Sequence, residues 1–153
     1  MTVLFSQEPL GEIVDELKPL LARRWSEIAL HQDTIKLNVD WDAYFKLEDD
    51  GALFIYTARD DGILVGYFIV IAVSHLHYKD HVFAHNDVIF VAPEHRRKST
   101  GARLIQFVEA QLKLAGVSVM IINTKRHQPF DDLLIKLEFS ESETIYSKLL
   151  GVD

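Results

Sequence analysis

The segment Asp87-Val-Ile-Phe-Val-Ala-Pro-Glu-His-Arg-Arg-Lys-Ser-Thr-Gly-Ala-Arg-Leu-Ile105 limits the architecture more than any other part of the chain. Its apolar run from Val88 to Val91 reads as a buried strand that stops at Pro93. Arg96, Arg97, Lys98, Ser99, Thr100 and Gly101 then lead directly into a helical pattern. A strand that delivers the chain to a basic, small-residue turn at a helix start builds an anion site. The first backbone N–H groups of the helix have no internal partner, and the helix dipole favours negative charge there. The cationic side chains of Arg96, Arg97 and Lys98 beside those groups point to a polyanionic phosphate ligand.

Val91-x-Pro93 followed by Arg96-x-x-Ser99-x-Gly101 resembles the acetyl-CoA signature of the GNAT superfamily of N-acetyltransferases. That signature runs Gln or Arg, two residues, Gly, one residue, then Gly or Ala, and its amides hold the coenzyme A pyrophosphate. Arg96 matches the first position and Gly101 the last, while Ser99 stands where the family usually has its first glycine. The resemblance implies acetyl-CoA as co-substrate, held by Arg96, Arg97, Lys98, Ser99, Thr100, Gly101 and Ala102. It also implies that the main chain at Val91 and Ala92 binds pantetheine and polarises the thioester. A dinucleotide-binding fold is the rival, but its glycine fingerprint follows the first strand of its unit. Here the loop lies past mid-chain, after at least two strands.

At 153 residues the chain fits a single domain over residues 1–153, large enough for a real core. Its 48% hydrophobic and 25% charged composition is that of an ordinary globular protein. No apolar run approaches the roughly 20 residues of a membrane helix, and no secretory leader is visible, so no membrane partner is expected. The chain has no cysteine, which excludes a disulfide framework, a thiolate metal site and a Cys nucleophile. A cytoplasmic location fits. The formal net charge of −7 argues against nucleic acid as a partner.

Periodicity predicts a short strand at residues 3–5, then a helix through Ile13, Val14, Leu17, Leu20 and Leu21 that kinks or restarts at Pro19. A second helical stretch is predicted over residues 25–30, and Asp40 reads as the N-cap of a short helix. Strands at 53–58 and 63–74 flank the Asp60-Asp61-Gly62 turn as a hairpin. A polar connection over 75–81 leads to a strand at about 82–92. A helix carrying Leu104, Ile105, Val108 and Leu112 ends near Gly116, followed by a strand at 117–123, a helix around Phe130 to Leu137 and a closing strand at 144–150. This order is similar to the GNAT fold over nearly the whole chain: an α+β fold, a mixed, mostly antiparallel sheet flanked by helices. Residues 130–139 also resemble a late GNAT segment, with Leu134 where many members carry a thiolate-protonating tyrosine and Glu138 in place of a glycine. Trp41, residues 75–78 and residues 143–148 look like members often encoded by phages and prophages.

The resemblance implies direct transfer to a primary amine of a small molecule or protein, with a carboxylate base on the strand before the phosphate loop. Asp87 fits that role; alternatively it begins the strand in solvent. With Leu134 unable to donate a proton, Tyr146 is the next phenol available as a catalytic donor, or else an ordinary strand aromatic. Trp41, Tyr44, His77 and Tyr78 are expected to wall an acceptor pocket close to Asp87; Trp41 and Tyr44 also suit a core. His75, His77, His81 and His85 lack the partners that complete a recognised ligand set, so no metal is expected. The alternative function is a non-catalytic acyl-CoA-binding module. A homodimer is consistent with the proteins resembled.

Overall fold

A computed structural model describes residues 2–151, apart from the side chains of Arg97 and Lys98. A sheet of five strands lies at its centre in sequence order: β1 (Val3–Gln7), β2 (Leu53–Asp60), β3 (Ile63–His75), β4 (Tyr78–Val91) and β5 (Val119–Ile121). Neighbours run antiparallel except β4 and β5, which are parallel. Helices α1 (Leu10–Ile28) and α2 (Trp41–Asp49) cover one face, and α3 (Thr100–Leu114) and α4 (Asp131–Lys136) the other. This is the mixed, mostly antiparallel α+β architecture expected from the sequence. Among the described residues no helix is long and apolar enough to cross a membrane.

The period-two alternation of the strands builds both cores. Tyr67 and Ile69 of β3 pack under α1, while Phe68 and Val70 pack under α3. On β4 the phase changes. Val82 and Ala84 face α3 before residue 87, but Ile89 and Val91 face it afterwards. The register explains this: Val70 pairs with Asn86 and Ile69 with Val88, so Asp87 is the extra residue of a β-bulge.

Some expected boundaries moved, each for a physical reason. The break at Pro19 does not occur, and α1 runs unbroken for 19 residues, absorbing the stretch expected at 25–30. Pro19 lies on the exposed face, where water can satisfy the carbonyl it leaves without a donor. The connection between β3 and β4 is only Leu76 and His77, because His75 pairs with Tyr78 and packs its ring 4.6 Å from Phe83. β5 is shorter than expected, with three residues. The closing strand at 144–150 is absent: a strand pattern needs a neighbouring edge to pair with, and this segment has none.

Candidate active site

The sheet opens between β4 and β5. The strands pair at Phe83↔Val119, Ala84↔Met120 and His85↔Ile121 and then part. The Asn86 side chain spans the start of the gap, its Oδ1 accepting from Asn123 N at 2.8 Å and its Nδ2 donating to Asn123 O at 3.4 Å. Beyond it β4 continues alone to Val91, along a groove of about 350 Å³ that the end of α1, the start of α3 and residues 128–133 enclose.

The hydrogen-bond ladder decides what this edge offers. Ala92 N donates to Val65 O at 2.8 Å, so Ala92 points its amide at β3, and its carbonyl accepts from His95 N at 2.8 Å. Ala92 therefore turns its N–H away from the groove. Alternation turns the main-chain groups of Ile89 and Val91 to the groove instead. Both carbonyls there accept from arginines: Ile89 O from Arg24 Nε at 3.3 Å, and Val91 O from Arg96 Nε at 2.7 Å. Their N–H groups face the groove.

The loop expected to bind phosphate folds as a 3₁₀ turn over Pro93–Lys98, followed by Ser99 in the left-handed region at φ 60°. Serine holds the strained conformation that glycine adopts without cost. The first intrahelical bond of α3 runs from Arg103 N to Ser99 O, leaving the amides of Thr100, Gly101 and Ala102 without helical partners. Thr100 is fully buried, and its Oγ1 has no partner among the described residues. Gly101 lines the groove, and an added Cβ there would lie 3.9 Å from Val91 Cγ2, ordinary contact. Its lack of a side chain serves the groove side.

Arg96 lines the groove, but its guanidinium is engaged by Glu27 at 2.7 Å as well as by Val91 O. Arg23 binds Glu94 at 2.9 Å, so two ion pairs tie the turn to α1, while His95 Nδ1 stands 3.6 Å from Asp60 Oδ2 without a hydrogen bond among the described residues. The parts expected of the Arg97 and Lys98 side chains lie outside the described residues.

On the other side of β4, the bulge presents Asp87 to α2, and Tyr44 Oη donates to its carboxylate. Burial, then this bond, raises the Tyr44 pKa well above the phenol range, so Tyr44 remains the donor throughout the working pH range. Trp41 packs beside Tyr44 with ring centroids 5.7 Å apart. His77 and Tyr78 are elsewhere, at the tip of the β3–β4 hairpin. Asp87 lies nine positions along β4 from Tyr78, roughly 30 Å at strand rise. The expected pocket is thus divided, with Trp41 and Tyr44 brought to Asp87 and His77 and Tyr78 not. Tyr146 is 91% exposed in the extended tail, and no hydrogen bond among the described residues joins it to this cluster.

Two groups escaped the sequence reading. Tyr67, fully buried beneath α1, has its hydroxyl without a partner among the described residues, and burial raises its pKa well above the phenol range. Arg24 lines the groove half-buried; burial lowers its pKa, opposed by nearby Tyr67, Asp87, Tyr44 and Glu27. A signal for Arg24 existed: the buried stripe Leu10, Ile13, Leu17, Leu21 continues next at position 24, where a cation breaks the pattern.

The sequence model of the acetyltransferase (GNAT) family matches residues 14–130. No curated protein sequence is significantly similar to the chain. Among solved structures it is similar to glucosamine-6-phosphate N-acetyltransferase from Arabidopsis thaliana, at TM-score 0.75 and 15% identity, covering 99% of this chain and 100% of that one. An aminoglycoside acetyltransferase from an uncultured soil metagenomic sample, in complex with sisomicin, gives TM-score 0.75 at 11% identity, covering 99% and 97%. A predicted acetyltransferase with acetyl-CoA from Clostridium acetobutylicum gives 0.72 at 11% identity, covering 97% of each chain.

Proposed function

Since this chain belongs to the acetyltransferase (GNAT) family, we propose that it transfers the acetyl group of acetyl-CoA to a primary amine by direct attack, with Asp87 as general base. The observation that carries this reading is the parted β4 edge running up to the unpartnered N-terminus of α3. Pantetheine lies along the edge, where the N–H groups of Ile89 and Val91 are the donors for its carbonyls and for the thioester oxygen. The pyrophosphate meets the amides of Thr100, Gly101 and Ala102, with Ser99, Arg97 and Lys98 beside them. Because Arg96 is already held by Glu27, the amides contribute more of the phosphate affinity than Arg96 does.

An arriving ammonium gives one proton to Asp87, directly or through water, as Tyr44 holds that carboxylate in place. The neutral nitrogen attacks the thioester carbon, forming the C–N bond as the C–S bond breaks. The second excess proton on nitrogen passes through water to the departing thiolate, which is needed because Leu134 is apolar and Tyr146 is remote in the tail. Small-molecule amines approach from the Asp87 side of the bulge, and the names of the aminoglycoside and glucosamine-6-phosphate neighbours support an acceptor of that size.

Calorimetric titration with acetyl-CoA, beside a thiol-release assay over a panel of primary amines, tests the reading. Cofactor binding with turnover of at least one amine is expected. Tight binding with no release from any amine establishes the acyl-CoA-binding module instead, and absence of binding removes both.

A further inference from the structure

Arg24 is the one guanidinium on the groove that lacks a carboxylate partner among the described residues. Arg96, opposite it, is held by Glu27 at 2.7 Å. Arg24 makes a single hydrogen bond, from Nε to Ile89 O, and no ion pair, so both Nη groups are without protein acceptors among the described residues. Its position on α1 continues the buried stripe, so the helix aims it inward by periodicity rather than by chance of a flexible surface chain. A half-buried cation without a counter-ion is costly, and an anionic ligand removes the cost.

The neighbours of Arg24 define the ligand further. Asp87, two strand positions before Ile89, is a carboxylate whose one protein partner among the described residues is the Tyr44 hydroxyl. The main chain at Asp87 and at Ile89, whose carbonyl Arg24 grips, lies roughly 6–7 Å apart. An anion carried at one position and a cation anchored at the other, with the phenols of Tyr44 and Tyr67 nearby, complement a zwitterion whose amine and carboxylate lie a few bonds apart.

We infer that the acceptor is a small amino carboxylate, its amine at Asp87 and its carboxylate on the Nη fork of Arg24. This rests on the acetyltransferase reading above and narrows its substrate class. The guanidinium fork matches a carboxylate in two parallel hydrogen bonds, a geometry an ammonium cannot supply.

The test uses ligand pairs that share an amine: free α-, β- and γ-amino acids against their carboxamides, titrated calorimetrically into the CoA-loaded protein. The carboxylates should bind about 10- to 100-fold more tightly than the amides. Arg24→Gln should erase that preference while the amides keep their affinity within a few-fold, and Arg24→Lys should restore part of it. Equal binding of acid and amide by the unaltered protein overturns the inference without reference to any variant. So does a preference that survives Arg24→Gln. Because binding is read apart from turnover, a protein that binds the acids and fails to release thiol contradicts the enzymatic reading and leaves the Arg24 site standing.

Discussion

Arg59 and Arg24 carry the same side chain into opposite circumstances. Arg59 lies on the closed half of the sheet, where its Nε and Nη2 meet Glu8 at 2.9 and 3.0 Å. Its Nη2 and Nη1 also meet Glu16 at 2.8 and 2.9 Å, and Nη1 donates to Gly62 O at 2.9 Å. Arg24 lies on the open half and has one bond to one carbonyl. The contrast extends to the backbone. β1 pairs with β2 residue by residue and β2 with β3 apart from one bulge at Ala58/Arg59, whereas the last residues of β4 turn one edge to a groove. Where every donor has an acceptor inside the protein, charge serves to fasten β1, β2 and α1. Where donors are left over, at Arg24, Thr100 and the start of α3, the protein is built to receive something else.

The largest effect that would sharpen this contrast belongs to Asp87. Asp87→Asn keeps the bulge and the Tyr44 contact but removes the base, so kcat should fall about 10²- to 10⁴-fold with acetyl-CoA affinity retained. Steady-state thiol release and calorimetry on the same preparation check both halves; full activity would move the base elsewhere.

Stability should divide the two arginines next. Arg59→Ala strands Glu8 and Glu16 and should cost about 1–3 kcal/mol in urea denaturation, whereas Arg24→Gln should cost about 0.5 kcal/mol or less. The Arg59 network also predicts a pH signature. Burial pushes the Glu8 carboxyl up, but bonds from Arg59 and Thr57 outweigh it and leave it lowered; at Glu16 the Arg59 bond is the leading cause. Groups with depressed folded-state values stabilise fully above their ordinary value, 4.5, and lose that contribution as pH falls through the lowered values. Denaturation midpoints should therefore decline below that pH in the unaltered protein and decline less in the Arg59 variant. Equal slopes would remove the network from the acid response.

The smallest effects concern backbone strain on the open half. Ser99 at φ 60° and Glu138 at φ 70° stand at the two positions where the resembled motifs carry glycine. Ser99→Gly and Glu138→Gly should each relieve strain of about 1 kcal/mol, partly offset by glycine's greater unfolded-state freedom. The Glu138 turn closes α4 through Phe139 N to Leu134 O at 2.9 Å, so its variant should show the gain in melting temperature most plainly. A loss at either position would mean that the side chain, and not the backbone, sets the turn.

The order of elements was legible because each carries its own period: alternation in β2 and β3, a helical stripe in α3, the Asp40 cap, whose Oδ1 does accept from Ala43 N at 3.0 Å. The small-residue turn before α3 was legible for the same local reason. Pro19 misled because its cost depends on whether the freed carbonyl meets water or core, which only packing decides. The tail at 144–150 misled because a strand pattern forms a strand only where it pairs with another.

By itself, then, the chain determined where strand and helix patterns lie, that a small-residue turn opens α3, and that an acidic residue precedes it on β4. Those are properties of neighbours in sequence, within reach of a few dihedral angles. Only the tertiary structure decided that Asp87 is a bulge, that β4 and β5 part after three pairs, that Ala92 turns its amide inward, and that among the described residues Arg24 is left without a carboxylate while Arg59 holds two. Each depends on which polar groups from distant segments meet and which do not, and a hydrogen bond left unmade has no signature in the sequence.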